Sequence, residues 1–139
     1  LFALPGNGVG VMLELNCETD FVARNEQFRD LAHNLALHIA AASPRYLNVE
    51  DVPTEELDRE VSVLKAQALA EGKPEAVVEK VVSGRINKFY EEICLMEQPY
   101  EKDEKVKIKD MLTEAIRMTG ENIVIRRFAR FELGEALED

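Results

Sequence analysis

The sequence predicts an α+β fold: a small antiparallel three-stranded sheet covered by helices, with an inserted antiparallel helical hairpin. Apolar residues recur at every second position near both ends of the chain, which is typical of half-buried strands. The central part has apolar residues at helical spacing. With strands at the ends and helices between them, the last strand is expected to pair with the first hairpin.

The chain is predicted to begin with a β-hairpin. Val9, Val11, Leu13 and Leu15 alternate with other residues and indicate one strand. The short apolar piece at residues 1–4 supplies the other strand, and the run PGNG at residues 5–8 is a strong turn signal.

A long amphipathic helix is expected from about Asn25 to Ala42. Asn25 is a candidate N-cap, and Ser43-Pro44 ends the helix. The predicted inward face consists of Phe28, Leu31, Ala32, Leu35, Ala36 and Ile39.

Residues from about 54 to 96 are predicted to form the helical hairpin. Its first helix begins with Thr54 as the cap and closes at Gly72. Pro74 opens the second helix, which continues to about Met96. Because the connection is short, the two helices are expected to be antiparallel.

A charged loop at residues 101–104 is followed by a predicted helix from about Lys107 to Thr119 and a strand from Glu121 to Leu133. Strict alternation assigns the strand residues to two faces. One face would carry Ile123, Ile125, Ala129, Phe131 and Leu133, and the other Val124, Arg126, Phe128, Arg130 and Glu132.

The 139 residues are enough for one domain, and their charge restricts the classes of partner. With 27 acidic and 17 basic residues the net charge is −10, which argues against nonspecific binding of nucleic acid. No apolar run is long enough to cross a bilayer, so no membrane contact is expected. Because residue 1 is Leu, we expect the natural start to lie upstream or to have been removed.

Two cysteines, Cys17 and Cys94, are too few for a disulfide framework and favour a reducing compartment. A bond between them remains an alternative at this point. Cys17 is expected to be a small apolar filler rather than a nucleophile.

Asp20 and Phe21 are the first candidate site residues, because Asp20 ends a polar corner at residues 16–20 and the large apolar side chain of Phe21 follows it at once. In one interpretation the carboxylate and the ring are exposed and insert into a partner. In the other, Asp20 caps the following turn and Phe21 packs in the core. Residue types alone favour the second interpretation.

Catalytic, metal and cofactor sites are not expected. Glu14, Glu18 and Asp20 could form a carboxylate cluster, but no His or Cys completes a metal set. His33 and His38 are five residues apart, which does not place them on one helix face, so structural or exposed roles are expected. The glycine-rich residues 5–10 lack the Lys-Ser/Thr pair of a phosphate loop.

Two runs of sequence resemble those of a known family. ELNCETDFVARNEQF, from Glu14 to Phe28, resembles the signature of elongation factor Ts, and GENIVIRRFARFELGE, from Gly120 to Glu135, is similar to its C-terminal strand. Members of the family are guanine nucleotide exchange factors of bacterial and organellar translation. The resemblance therefore implies a protein that is not an enzyme and holds no cofactor.

The resemblance also implies a partner and a binding element. Thr19, Asp20, Phe21 and Val22 would dock on the GTPase domain of elongation factor Tu, near its magnesium and phosphate site, and promote GDP release. A structural subunit of a ribosome-bound or other complex, keeping the fold without exchange activity, is the alternative. A small carboxylate enzyme is a more distant one.

The resemblance covers nearly the whole chain, so residues 1–139 would be the core (dimerisation) domain of the family without its small N-terminal helical domain. Short members with one core are homodimers. We therefore expect a homodimer packed through the sheet, with the face of Phe128 and Arg126, Arg127 and Arg130 as the candidate surface. The expected location is the bacterial cytoplasm, with a plastid or mitochondrial interior as the alternative.

Overall fold

The structure is a computed structural model that describes residues 2–4 and 8–137. Its strands are β1 Phe2–Leu4, β2 Val9–Asn16, β3 Pro99–Tyr100, β4 Asp103–Lys107 and β5 Val124–Glu132. Its helices are α1 Asp20–Ala23, α2 Glu26–Ala42, α3 Thr54–Ala70, α4 Glu75–Ile93 and α5 Ile108–Thr119. The α+β class is confirmed.

The chain divides into two compact units. The sheet unit contains the chain up to Ser43 together with the chain from Pro99 onward, and the hairpin unit is Pro44–Gln98. Within the described part of the chain, no helix is long and apolar enough to cross a membrane.

The sheet unit contains a three-stranded antiparallel sheet in the order β1-β2-β5, as predicted. Residues 5–7 of the predicted turn lie outside the described residues. Gly8 has φ +63°, and a Cβ added there would lie 2.9 Å from the Cβ of Leu133. The site therefore requires glycine both for its backbone conformation and for the close approach of Leu133.

A β-bulge in β5 changes which residues share a face of the sheet. The register pairs Glu14 with Arg127 and Leu15 with Ile125, so Arg126 is the extra residue on β5. A single extra residue moves every later side chain to the other face.

The predicted faces of β5 are therefore wrong beyond the bulge. Phe128 and Arg130 lie opposite Leu13 and the buried Val11, on the inner face. Phe131, predicted to share a face with Ile125, is exposed, whereas Ile125 is buried.

Helix α2 covers the inner face of the sheet and follows its prediction closely. The Asn25 side chain accepts a hydrogen bond from the backbone N–H of Gln27 at 2.7 Å, which confirms it as the N-cap. Leu35 and Ile39 are fully buried.

The structure adds a short β3–β4 hairpin where a charged loop was predicted. Two contacts hold it on α2. The Glu101 N–H donates to Nδ1 of His38 at 3.2 Å, and the Lys102 ammonium donates to Asn34 at 3.0 Å. His38 is buried and thus has a structural role, one of the two roles expected for it.

The hairpin unit consists mainly of α3 and α4, which pack through a small core of Leu64, Ala68, Val78 and Val82. Gly72 closes the connection with φ +82°. Two predicted boundaries need correction. Pro53 occupies the N-cap position and Thr54 is the first helical residue, and α4 ends at Ile93 rather than near Met96.

Residues before α3 are attached to the end of α4. Tyr46 forms a parallel bridge with Cys94, and the Tyr46 hydroxyl donates to Glu56, which also pairs with Arg45. Cys94 is fully buried, and both it and Cys17 are free thiols.

Candidate functional site

The predicted site lies at the corner between β2 and α2, where α1 makes a single helical turn. Thr19 is the N-cap of that turn, because its Oγ1 accepts a hydrogen bond from the Val22 N–H at 3.3 Å. Asp20 is the first residue of the turn and is exposed. The interpretation that Asp20 caps the turn is therefore wrong.

Phe21 points away from the protein. Its side chain is 85% exposed, whereas the adjacent Val22 is only 8% exposed. The interpretation that placed Phe21 in the core is wrong. A large aromatic ring held in water on an ordered turn is the feature expected of a contact residue, because its apolar surface can be buried only by another molecule.

Glu121 fixes the corner from the other end of the chain. One of its carboxylate oxygens, Oε1, accepts from the backbone N–H groups of Glu18 and Thr19, both at 3.0 Å. The other, Oε2, accepts from the Thr19 hydroxyl at 2.6 Å. Three hydrogen bonds to one carboxylate restrict the backbone immediately before Asp20.

Sequence reasoning missed Glu121, because more than 100 residues separate it from the corner. Only the pairing of β2 with β5, which places Asn16 opposite Val124, brings the two segments together. The sequence offered only a weak signal for this role. Glu121 is an acidic residue directly after Gly120, in the short connection between the end of α5 and the start of β5.

Other local bonds complete the corner. The Cys17 thiol donates to the carbonyl of Thr19 at 3.2 Å, and the Arg24 N–H donates to the carbonyl of Asp20 at 3.1 Å. Cys17 is half-buried and makes a polar contact, so its environment is not that of a purely apolar filler. The corner is thus ordered up to the start of α2.

Glu14 belongs to the sheet surface rather than to a carboxylate cluster at the corner. It accepts hydrogen bonds from Asn16 at 2.9 Å and from Arg127 and Arg126 at 2.9 and 3.2 Å. The hydrogen bond from Asn16, followed by those from the two arginines, lowers the pKa of Glu14 below its usual 4.5. Over residues 2–4 and 8–137, no three His, Cys, Asp or Glu side chains are grouped to hold a metal ion.

Comparison with known proteins connects this geometry to a family. The sequence model of the family described as "Elongation factor TS" matches residues 29–135. The chain belongs to the elongation factor Ts family.

Several curated relatives are named elongation factor Ts. The protein of Moorella thermoacetica is 55% identical over 132 residues, covering 95% of this chain and 65% of the relative. That of Carboxydothermus hydrogenoformans is 55% identical, covering 95% and 61%. That of Desulfitobacterium hafniense is 57% identical over 133 residues, covering 96% and 61%. The chain thus spans less than two-thirds of the length of these elongation factor Ts proteins.

Proposed function

We propose that this chain binds the GTPase elongation factor Tu and promotes release of GDP from it, using Thr19, Asp20, Phe21 and Val22 as the binding element. The observation that carries the proposal is the exposure of Phe21 on an ordered turn. The family match begins at residue 29, so support for this element comes from its own geometry and from the resemblance of the run Glu14 to Phe28.

Phe21 would supply much of the binding energy. Burying a phenylalanine side chain contributes about 2–3 kcal/mol relative to leaving it exposed. Thr19 and Val22 hold the turn before binding, through the N-cap bond and through burial in the protein. A binding element that is already ordered loses less entropy when it docks.

Asp20 and Phe21 would act on the magnesium and phosphate site of the GTPase. Magnesium requires near-ideal octahedral geometry, so a ring wedged beside that site would displace the groups that hold the ion. The Asp20 carboxylate would add negative charge near the phosphates of GDP. No covalent chemistry is involved, and the chain would act by binding alone.

Linkage then sets the direction of the effect. If the bound chain weakens GDP binding by some factor, GDP must weaken binding of the chain by the same factor. The chain would therefore stabilise the nucleotide-free GTPase, and GTP would displace it. We place this exchange in the bacterial cytoplasm, since the relatives with this family name are bacterial.

We also propose that the chain forms a homodimer through the outer face of its sheet. Because of the bulge, this face is not the one predicted from the sequence. Met12 and Phe131 are 53% and 64% exposed there, while Phe128 and Arg130 lie on the inner face. Exposed apolar side chains of this size favour a contact with a second copy.

The exchange proposal is tested by stopped-flow release of a fluorescent GDP analogue from elongation factor Tu, with and without the chain. We expect acceleration by the chain and a loss of affinity for the GTPase of roughly 30-fold in Phe21→Ala, since 2 kcal/mol corresponds to about that factor. Asp20→Asn should retain binding better than it retains acceleration. Leu69→Ala is the control, because Leu69 is an exposed apolar residue of the hairpin unit.

Two outcomes would contradict the proposal. A folded chain that binds the GTPase without accelerating release would favour the structural-subunit alternative. Acceleration that is equally strong with Phe21→Ala would remove the proposed element from the contact.

A further inference from the structure

We propose that Glu121 is a positioning residue for exchange, which holds the Thr19–Val22 turn in its docking conformation without touching the partner. This inference rests on the proposed function. It assigns a role to a side chain that lies outside the binding element and is only half exposed.

The hydrogen bonds around Thr19 have a fixed direction. Its hydroxyl has one proton, which it donates to Oε2 of Glu121. The oxygen is then oriented to accept the Val22 N–H, the bond that caps α1. Glu121 thus sets the orientation of the group that starts the helical turn carrying Phe21.

The same carboxylate also fixes the backbone. Oε1 accepts the N–H groups of Glu18 and Thr19, the two residues that precede the turn. Neither N–H has a partner inside a helix at this position, and both residues are exposed. The Glu121 carboxylate takes the place that water would otherwise occupy, and it ties this segment to the end of α5.

Glu121 is itself held in place. Its N–H donates to Oγ1 of Thr119 at 3.2 Å, and that hydroxyl donates to the carbonyl of Ala115 at 2.9 Å. Gly120 ends α5 in the left-handed conformation, with φ +71°. The end of α5 therefore sets the position from which Glu121 reaches the corner.

A glutamate suits this role better than either close analogue. In Glu121→Gln, one oxygen could still accept the two N–H groups, but the amide nitrogen could not accept the Thr19 proton. In Glu121→Asp, the shorter side chain would end about one methylene short of the corner. Both variants should therefore impair the turn, and Glu121→Ala should impair it most.

The first test measures the corner without the partner, by amide hydrogen exchange followed by NMR. In Glu121→Ala, protection of the Glu18 and Thr19 N–H groups should fall about tenfold or more, while protection in the β2–β5 ladder stays unchanged. Glu121→Gln should keep most of that protection. Glu114→Ala is the control, since Glu114 pairs with Arg117 on α5 and makes no bond to the corner.

The second test measures GDP release with single and double variants. Glu121→Ala should weaken exchange about tenfold in the wild-type background and should have almost no added effect on Phe21→Ala. Such non-additivity is expected only if Glu121 acts through the turn, because a general loss of stability would add in both backgrounds.

The two tests distinguish failure of the positioning role from failure of the proposed function. Unchanged protection of the Glu18 and Thr19 N–H groups in Glu121→Ala would overturn the positioning role, whatever happens to exchange. Full additivity with Phe21→Ala would also overturn it. If Phe21→Ala alone leaves exchange intact, the proposed function fails, and the amide measurement still decides whether Glu121 orders the corner.

Discussion

The guanidinium of Arg130 donates two hydrogen bonds to the carbonyl of Ala40. Nη2 lies 3.0 Å and Nε 3.3 Å from that oxygen. Ala40 is in the last turn of α2, whose final carbonyls have no partner within the helix. A strand of the sheet thus caps the helix that covers it, and the positive charge is favourable at the negative end of the helix dipole.

Replacing Arg130 should therefore weaken the sheet unit. Its side chain is only 15% exposed, so Arg130→Ala removes packing as well as two charge-assisted bonds. We expect a loss of about 1–2 kcal/mol in the free energy of unfolding, measured by urea denaturation. Arg130→Lys should recover only part of it, because an ammonium cannot reproduce the guanidinium fork.

Arg126 provides the control for that measurement. It pairs with Glu14 on the same strand pair, but its side chain is 63% exposed. Arg126→Ala should change the free energy of unfolding by less than about 0.5 kcal/mol. Equal losses in the two variants would mean that the Arg130 contact with α2 contributes no more than a surface ion pair.

Cys94 should react slowly with thiol reagents in the folded protein. Its side chain is fully buried, and this burial raises the pKa of the thiol to about 11, compared with the usual 9.0. At pH 8 the reactive thiolate is then on the order of one molecule in a thousand. Iodoacetamide labelling followed by mass spectrometry should modify Cys17 first.

In denaturant the two cysteines should be labelled at similar rates, since neither is then buried.

The raised pKa of Cys94 also predicts that the stability of the protein depends on pH. Above about pH 9 the unfolded chain loses the Cys94 proton while the folded chain keeps it, so stability should fall as the pH rises from 9 toward 11. Rapid labelling of Cys94 in the native protein would contradict its assignment to the core.

Much of the fold follows from local signals in the sequence. Asn25 begins a helix and Gly72 closes one where they were predicted to, because the cap and the left-handed position that they occupy depend on a few neighbouring residues. The pairing of the last strand with the first hairpin followed from the order of the elements.

The faces of β5 could not be predicted, for a physical reason. Alternation assigns faces only while the register is unbroken, and the bulge at Arg126 depends on how β5 pairs with β2. The role of Glu121 is non-local in the same way. Phe21 is a different case. Its apolar character predicted burial, whereas the family resemblance predicted that the side chain is exposed, as it is in the structure.

Glu56 should make the stability of the hairpin unit depend on pH. Its carboxylate accepts from the Tyr46 hydroxyl and pairs with Arg45. The hydrogen bond from Tyr46, followed by that from Arg45, lowers the pKa of Glu56 below its usual 4.5. Because the folded pKa is the lower one, the stabilisation is present above about pH 4.5 and is lost as the pH falls through the folded value.

Urea unfolding followed near pH 7 and near pH 4 tests this dependence. Glu56→Gln should be less stable at neutral pH and should lose less on acidification than the wild type. Glu79→Gln, at an exposed position of α4 beyond its first turn, should match the wild type at both values. If Glu56→Gln keeps the full acid dependence, other carboxylates must produce it.

The proposed homodimer leads to a prediction about Phe131. With its ring 64% exposed on the outer face of β5, Phe131→Ser should weaken the contact between two copies by roughly tenfold or more. Light scattering after gel filtration at micromolar concentration should give twice the chain mass of 15.7 kDa for the wild type and a mass closer to one chain for the variant.

Leu69→Ser is the control, because it also replaces an exposed apolar side chain with a polar one. Leu69 is 51% exposed on α3, in the hairpin unit, so this variant should still have the mass of a dimer. Phe128→Ser tests which face of β5 forms the contact. Because Phe128 lies on the inner face, this variant should lower the stability of the chain without weakening the contact between two copies. A wild-type chain that is monomeric at these concentrations would contradict the dimer, and a dimer that survives Phe131→Ser would place its contact elsewhere.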